Sequence, residues 1–432
     1  MAGTPRLWDG PASMEVGTLL ATIDRHAPAA LARHGVPGLA VGVLARGERG
    51  VRCYGIANLD TSEPVRPETQ FRIASITKPH VAMLALRLVE LGRLSLDEPL
   101  TGLRLPQAGL TLRYLLSHQT GLAADWPKPL AEYGDGKDAL ERLAAVEPVP
   151  GLVGPGELFA YSNPGYWLAG VVLERAAGMP LEDALRRHVL DPLGMERTGF
   201  EPEQPVAAGH ADGLVTEPPP YPRARRPSGG LFSTAADLLR SAAHQLGGAG
   251  PLKAESLREM QTRQVAVHKQ MALGLGIGVG SARGRRTLEH GGELPGFRSQ
   301  FLLVPDDETA LVLLTNSDRG GAVIEELLAA VDLAERLPTE VTVPATELEG
   351  LAGTYREPLG AEVVALVRDG GLDLAWAETD QFTGERVQHP ATHLRPVGGG
   401  RFVALEGDSR GESAEFLRGG GLLRYAWLFE RI

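Results

Sequence analysis

Residues 71–92 read FRIASITKPHVAMLALRLVELG. Ser75 stands three residues before Lys78, and the segment that follows is apolar on nearly every face, which is the pattern of a helix buried on all sides. Ser75 then falls at the helix N-terminus, where free N–H groups and the helix dipole favour developing negative charge. Lys78 lies one turn on and faces the same side. This spacing suits a nucleophile beside its proton acceptor, although a serine before a helix is also an ordinary N-cap. Pro79 has no N–H and pushes Lys78 away from the α region, so the helix must begin irregularly, which the first turn tolerates.

On the N-terminal side, LLATIDRHAPAALARHG has helical spacing and stops at Gly35, and LAVGVLARGERGVRCYGIANLD reads as two strands joined by a Gly47-Glu48-Arg49-Gly50 turn. From Ser75 to Gly194 helical segments dominate. After residue 270 the pattern turns to strands: ALGLGIGV, RRTLEHGG, FRSQFLLVP and TALVLLTN, the last two separated by Asp306-Asp307-Glu308. A helix, GGAVIEELLAAVDLAERL, closes this part. Strands at both ends with helices between them predict an α+β fold, one antiparallel sheet built from both ends and flanked by a helical region, with a cleft at their interface. Residues 1–336 form this expected unit and 337–346 a linker. Residues 347–432, with short alternating runs broken by glycine turns, predict a small antiparallel β-barrel or sandwich.

Composition narrows the partners. With 54 acidic residues against 43 Lys plus Arg, a net charge of −11 and no long basic stripe, a nucleic-acid backbone is not expected to bind. Arg223, Arg225 and Arg226 lie among prolines and read as a solvated loop. The single cysteine, Cys53, allows no internal disulfide and reads as a small buried hydrophobe. The first residues contain Pro5, Asp9 and Glu15 rather than a basic start and apolar core, and VAMLALRLVELGRL is interrupted by Arg87 and Glu90. Neither a signal peptide nor a membrane span is expected, and a cytoplasmic location follows.

Two further stretches carry chemistry. GELFAYSNPGYWLAG sets Tyr161 two residues from Asn163 in a predicted loop ahead of an apolar helix, so a phenol and an amide can face one cleft. Ser162 or Asn163 is equally a capping residue there. In RRTLEHGGELPGFRSQ a strand reaches His290-Gly291-Gly292 and then Glu293. Two glycines weaken a strand unless another backbone must come close, and a substrate lying along its edge would be such a backbone.

In this order and spacing the three stretches resemble the serine β-lactamase and penicillin-binding protein superfamily, specifically its class C-like branch with D-aminopeptidases and D-stereospecific esterases. LRYLLSHQTGL, DPLGMERTGF, PSGGLFSTAADLLR and ALGLGIGV look like recurring segments of that branch, and the resemblance spans about residues 20 to 335. LAGTYR resembles the opening of small β-barrel domains appended to some of these hydrolases. The resemblance implies that Ser75 is the nucleophile, Lys78 its proton acceptor and Tyr161 the shared general base and acid. Asn163 orients substrate and Lys78, and the strand His290, Gly291 and Gly292 binds substrate. Backbone N–H groups of Ser75 and Glu293 form the oxyanion hole. His290 stands where β-lactamases usually carry lysine, which points away from efficient β-lactamase activity and toward peptide, amide or ester substrates. No metal or organic cofactor is implied; the expected partner is a small molecule or a short peptide or ester.

Three other readings compete. GDSRG at residues 407–411 satisfies G-x-S-x-G around Ser409, but a nucleophile elbow needs a strand before it and a helix after it, and a hairpin is expected there. His389 and His393 in HPATH are four apart, yet Pro390 opposes a helix, so they read as surface loop histidines rather than metal ligands. A non-catalytic or slowly acylating binding protein would keep the fold without turnover.

Overall fold

The computed structural model describes residues 15–101, 108–122, 136–145, 153–216, 221–268, 271–334, 338–357, 360–379, 385–405, 413–417, 421–424 and 427–432. Its centre is an antiparallel sheet of nine described strands: β1 (Gly38–Ala45), β2 (Glu48–Asn58), β3 (Glu63–Pro64), β4 (Val265–His268), β5 (Met271–Leu273), β6 (Gly278–Ala282), β7 (Arg285–Leu294), β8 (Phe297–Val304) and β9 (Thr309–Thr315). They lie in the order β3-β2-β1-β9-β8-β7-β6-β5-β4, so β1 from the first strand pair meets β9 from the last. Leu39 pairs with Thr315 and Ala45 with Thr309.

Every residue of β1 and of β9 is buried, because both faces of the sheet are covered. Period-two alternation sorts the side chains. Leu39, Val41, Val43, Leu311 and Leu313 pack with Ile23 and Ala27 of helix α1 (Val16–His34) and with Val323 and Leu327 of a later helix, Gly320–Ala330. Ala40, Leu44, Val312 and Leu314 face the helical region on the other side. Among its helices are α2 (Thr77–Glu90), α3 (Leu112–Leu116), α4 (Asn163–Ala177) and α5 (Ala235–Gln245). The helix Gly320–Ala330 is α6.

Several local expectations need correction. The β1–β2 connection is not Gly-Glu-Arg-Gly but the two residues Arg46 and Gly47, both at positive φ (49° and 85°), the tight hairpin turn whose twist matches the strands. ALGLGIGV is not one strand: it is split between β5 and β6 by Gly274–Ile277, where Gly276 turns at φ +70° and leaves no room for a Cβ, which would stand 2.9 Å from the Lys78 carbonyl. Cys53 is half-buried on β2 rather than buried, and burial pushes its thiol up to about 11. Helix α1 does end at Gly35 in the left-handed conformation. At α5, Thr234 Oγ1 accepts from the Asp237 N–H at 3.2 Å.

The C-terminal residues form a closed antiparallel barrel of eight described strands. These are β10 (Gly353–Arg356), β11 (Glu362–Arg368), β12 (Gly371–Thr379), β13 (Arg386–Gly398), β14 (Arg401–Val403), β15 (Ser413–Phe416), β16 (Gly421–Arg424) and β17 (Trp427–Arg431). Closure removes the exposed edges an open sheet would leave. A short helix, α7 (Ala345–Leu351), begins inside the expected linker and packs Leu348 into the barrel core. His389 and His393 lie in strand β13, not in a loop. His389 donates to Glu378 at 3.0 Å and stacks on Trp376, and His393 donates to Asp373 at 2.6 Å. Ser409 falls outside the described residues. Among the described residues no helix is long and apolar enough to cross a membrane.

Candidate active site

Ser75 sits in a single 3₁₀ turn, Ala74–Ile76, that runs directly into α2. Lys78 is itself helical, so Pro79 does not displace it from α2; the irregularity lies earlier and is sharp, with Ala74 at φ +46°, a conformation costly for a residue with a Cβ. Helix α2 is buried on all sides, as its composition requires, and it carries Lys78 wholly inside the protein (0% exposed). Asn163 is not in a loop but is the first residue of α4. Ser162 caps that helix, accepting from the Gly165 N–H at 3.3 Å.

These elements converge. Ser75 Oγ lies 3.0 Å from Lys78 Nζ and 3.0 Å from the Tyr161 hydroxyl, and Lys78 Nζ also reaches Asn163 Oδ1 at 3.0 Å and the Ser228 carbonyl at 2.7 Å. The donor count is informative. A neutral amine has two N–H bonds and one lone pair. Because the Ser228 carbonyl and Asn163 Oδ1 can only accept, a neutral Lys78 would spend both N–H bonds on them and leave its lone pair for the Ser75 hydroxyl. Lys78 Nζ is also 4.7 Å from the centre of the Tyr161 ring.

The glycine pair on β7 has an internal explanation. A Cβ at Gly292 would come within 2.3 Å of the Ile73 carbonyl and 2.2 Å of Ser299 Oγ, so the backbone that needs the space is the chain's own, two residues before Ser75. Gly291 is uncrowded, its nearest neighbour for a Cβ being 3.6 Å away. Strand β6 ends its pairing at Glu289, and residues 290–294 run on paired with β8. Glu293 lines, with Ala74, Ser75, Asn163, Tyr221 and Arg225, a cavity of about 50 Å³, room for one or two water molecules. A wider apolar groove of about 530 Å³, bounded by Leu31, Val36, Tyr54 and Leu59, shares no residue with it.

His290 is half-buried, and its Nδ1 lies 2.6 Å from the Gly291 carbonyl. A carbonyl accepts only, so Nδ1 carries the proton and Nε2 presents a lone pair. Burial first, and the nearby Lys78 second, push its pKa down to about 3. His290 is therefore uncharged at neutral pH and, in this tautomer, an acceptor.

The arginine stretch is not a solvated loop. Residues 223–225 and 226–229 are short helical turns, and Arg223 and Arg225 are 5% and 2% exposed. Arg223 is paired with Glu174 and with Glu182, the latter at 2.9 Å, and the Arg225 guanidinium lies 4.7 Å over the Trp167 ring. Guanidinium groups tolerate burial when carboxylates or aromatic faces replace water. This anchoring sets Ser228, whose carbonyl meets Lys78 and whose hydroxyl accepts from Trp167 Nε1 at 2.9 Å. Ser228 and His118 were missed as site residues. Both lie in phrases that carry the family resemblance, and Ser228 acts through its main chain, which no side-chain pattern reveals.

A sheet of nine described strands beside a helical region, with a serine, a lysine and a tyrosine brought within hydrogen-bonding reach, defines the β-lactamase and penicillin-binding protein class of serine hydrolases. The Beta-lactamase family model matches residues 23–335, and the chain belongs to that family. It is 29% identical over 368 residues to penicillin-binding protein 4 of Amycolatopsis lactamdurans, covering 76% of this chain and 95% of that protein. It is 31% identical over 281 residues to esterase EstB of Burkholderia gladioli, covering 53% of this chain and 70% of that one. Among solved structures, SurE with D-Leu superposes with a TM-score of 0.75 at 26% identity, covering 96% of this chain and all of SurE.

Proposed function

We propose that this protein hydrolyses ester, amide or short-peptide carbonyls through an acyl-enzyme on Ser75. The observation that carries the reading is the 3.0 Å approach of Ser75 Oγ to both Lys78 Nζ and the Tyr161 hydroxyl. Ser75 Oγ attacks the carbonyl carbon as its proton passes to Lys78, and the oxyanion is held by the backbone N–H groups of Ser75 and Glu293. Tyr161 passes a proton to the leaving group. In the second half Tyr161 accepts a proton from the attacking water, the Ser75 ester bond breaks, and Lys78 returns its proton to the departing Ser75 Oγ. Asn163 holds Lys78 and the substrate. A neutral, accepting His290 disfavours a substrate carboxylate at that point and favours an N–H donor such as a peptide amide. EstB by name supports esters, and SurE with D-Leu supports acyl groups or acceptors built from D-amino acids.

The test is active-site titration with a fluorophosphonate and a nitrophenyl ester. The parent protein is expected to label at Ser75 and give a burst, both lost in Ser75→Ala. An unlabelled, burst-free parent would instead favour the non-catalytic binding protein.

We also propose that residues 1–336 and 347–432 fold as separate units joined through 337–346. Tyr355, Val363, Leu374, Phe402 and Phe429 make a barrel core distinct from the two cores of the sheet. A chain ending at residue 346 is expected to keep a cooperative unfolding transition and a burst within a few-fold of the parent; an insoluble or unfolded product would refute the division.

A further inference from the structure

We infer that His118 is the positioning residue for Tyr161, a role that rests on the reading of Tyr161 given above. His118 comes just after Ser117, the C-cap of α3, and adopts φ +54°, at a position after a helix that usually falls to glycine because a Cβ is unwelcome there. A strained, non-glycine residue of this kind persists where its surroundings hold it, and such residues gather at functional sites.

What the strained backbone achieves is visible in the contacts. The His118 carbonyl accepts from the Ala160 N–H at 2.9 Å and its Nδ1 accepts from the Ser162 N–H at 2.9 Å, so one residue grips the main chain on both sides of Tyr161. Its ring stacks on the Tyr161 phenol, centres 4.0 Å apart and planes 20° from parallel. Tyr166 and Phe159 pack around the same imidazole at 5.2 and 6.3 Å. The His118 side chain thereby fixes the main chain after Tyr161 and the plane of its ring, while the His118 carbonyl holds the main chain before it.

The imidazole's chemistry excludes a filling role. Because Nδ1 accepts a backbone N–H, the proton must sit on Nε2, which is buried and has no hydrogen-bond partner among the described residues. A phenylalanine would fill the space without that orphaned donor. Nδ1 as an acceptor is what the histidine provides. Burial, with Lys78 and His290 nearby, also keeps the ring uncharged, so it acts on Tyr161 by geometry rather than by charge.

Displacement of a reacting group by about an ångström costs on the order of 10²-fold in rate. His118→Ala is expected to lower kcat for nitrophenyl ester hydrolysis by about 10- to 100-fold with KM within about threefold. His118→Asn tolerates the same backbone and offers an amide oxygen in place of Nδ1, so it is expected to recover part of the loss, and it serves if the alanine variant does not fold. Each substitution is also made in Tyr161→Phe, where it is expected to add less than about twofold because the group it positions is gone. An unchanged kcat in folded His118→Ala, a loss carried by KM, or an equal loss with and without the Tyr161 hydroxyl would overturn the inference. Full activity in Tyr161→Phe alone would instead overturn the role of Tyr161.

Discussion

Lys78→Met is expected to lower kcat/KM for ester hydrolysis by about 10²–10⁴-fold, the contribution of a positioned base, while the protein stays folded. Lys78 is the only lysine contacting Ser75 Oγ among the described residues, and it does so from a position closed to solvent. Water reaching Ser75 from the adjoining cavity is a far weaker base than an amine and does not replace it. The thioether has similar length and no basic nitrogen, so the Ser75 proton has nowhere to go on that side. Stability should move little, because two effects oppose. The Ser228 carbonyl and Asn163 Oδ1 lose their partner, costing about 1–3 kcal/mol for a buried group left unsatisfied. The methionine in turn removes a buried amine whose desolvation is unfavourable, and apolar replacement of buried charge is often neutral. The measurements are kcat/KM and the urea midpoint. A folded variant within tenfold of the parent would show that Lys78 is not the base.

Gly292→Ala is expected both to destabilise the protein by about 1–3 kcal/mol, as overpacking does, and to reduce kcat/KM by roughly 10²-fold through displacement of Ser75, the proposed nucleophile. The new methyl group would stand 2.3 Å from the Ile73 carbonyl and 2.2 Å from Ser299 Oγ. The serine hydroxyl can rotate, but the carbonyl is main chain, and Ile73 is held in place: its N–H donates to the Leu231 carbonyl at 3.0 Å and its own carbonyl accepts from the Ile76 N–H at 3.1 Å. Relief must come from moving β7 or the turn that bears Ser75. Gly291→Ala is the control, since its Cβ meets nothing closer than 3.6 Å. If the two variants unfold at the same urea concentration, the crowding argument fails.

How much of this was legible beforehand can be judged residue by residue. Strand runs at both ends of the first 336 residues and an all-round apolar helix after Ser75 are local patterns, and they sufficed for a sheet built from both ends and a buried α2. Where a pattern was read too literally, a tertiary contact had overruled it. ALGLGIGV is apolar enough for one strand, but it turns at Gly276, where a Cβ would crowd the Lys78 carbonyl, and breaks there. The arginines of residues 223–226 are polar by composition, yet Glu174, Glu182 and Trp167, remote in the chain, provide the charges and ring that allow burial.

By itself the sequence determined which side chains were available for the chemistry, because S-x-x-K, Y-S-N and H-G-G each depend on residue type and short spacing, which local geometry converts into direction. Only the tertiary structure decided that Ser75, Lys78 and Tyr161 stand 3.0 Å apart across two links, that Gly292 makes room for Ile73, and that His118 grips the chain around Tyr161. Apart from the local Ser75–Lys78 link, those facts are distances between residues dozens to hundreds of positions apart. They are set by packing and by main-chain hydrogen bonds, which leave no mark in the order of the amino acids.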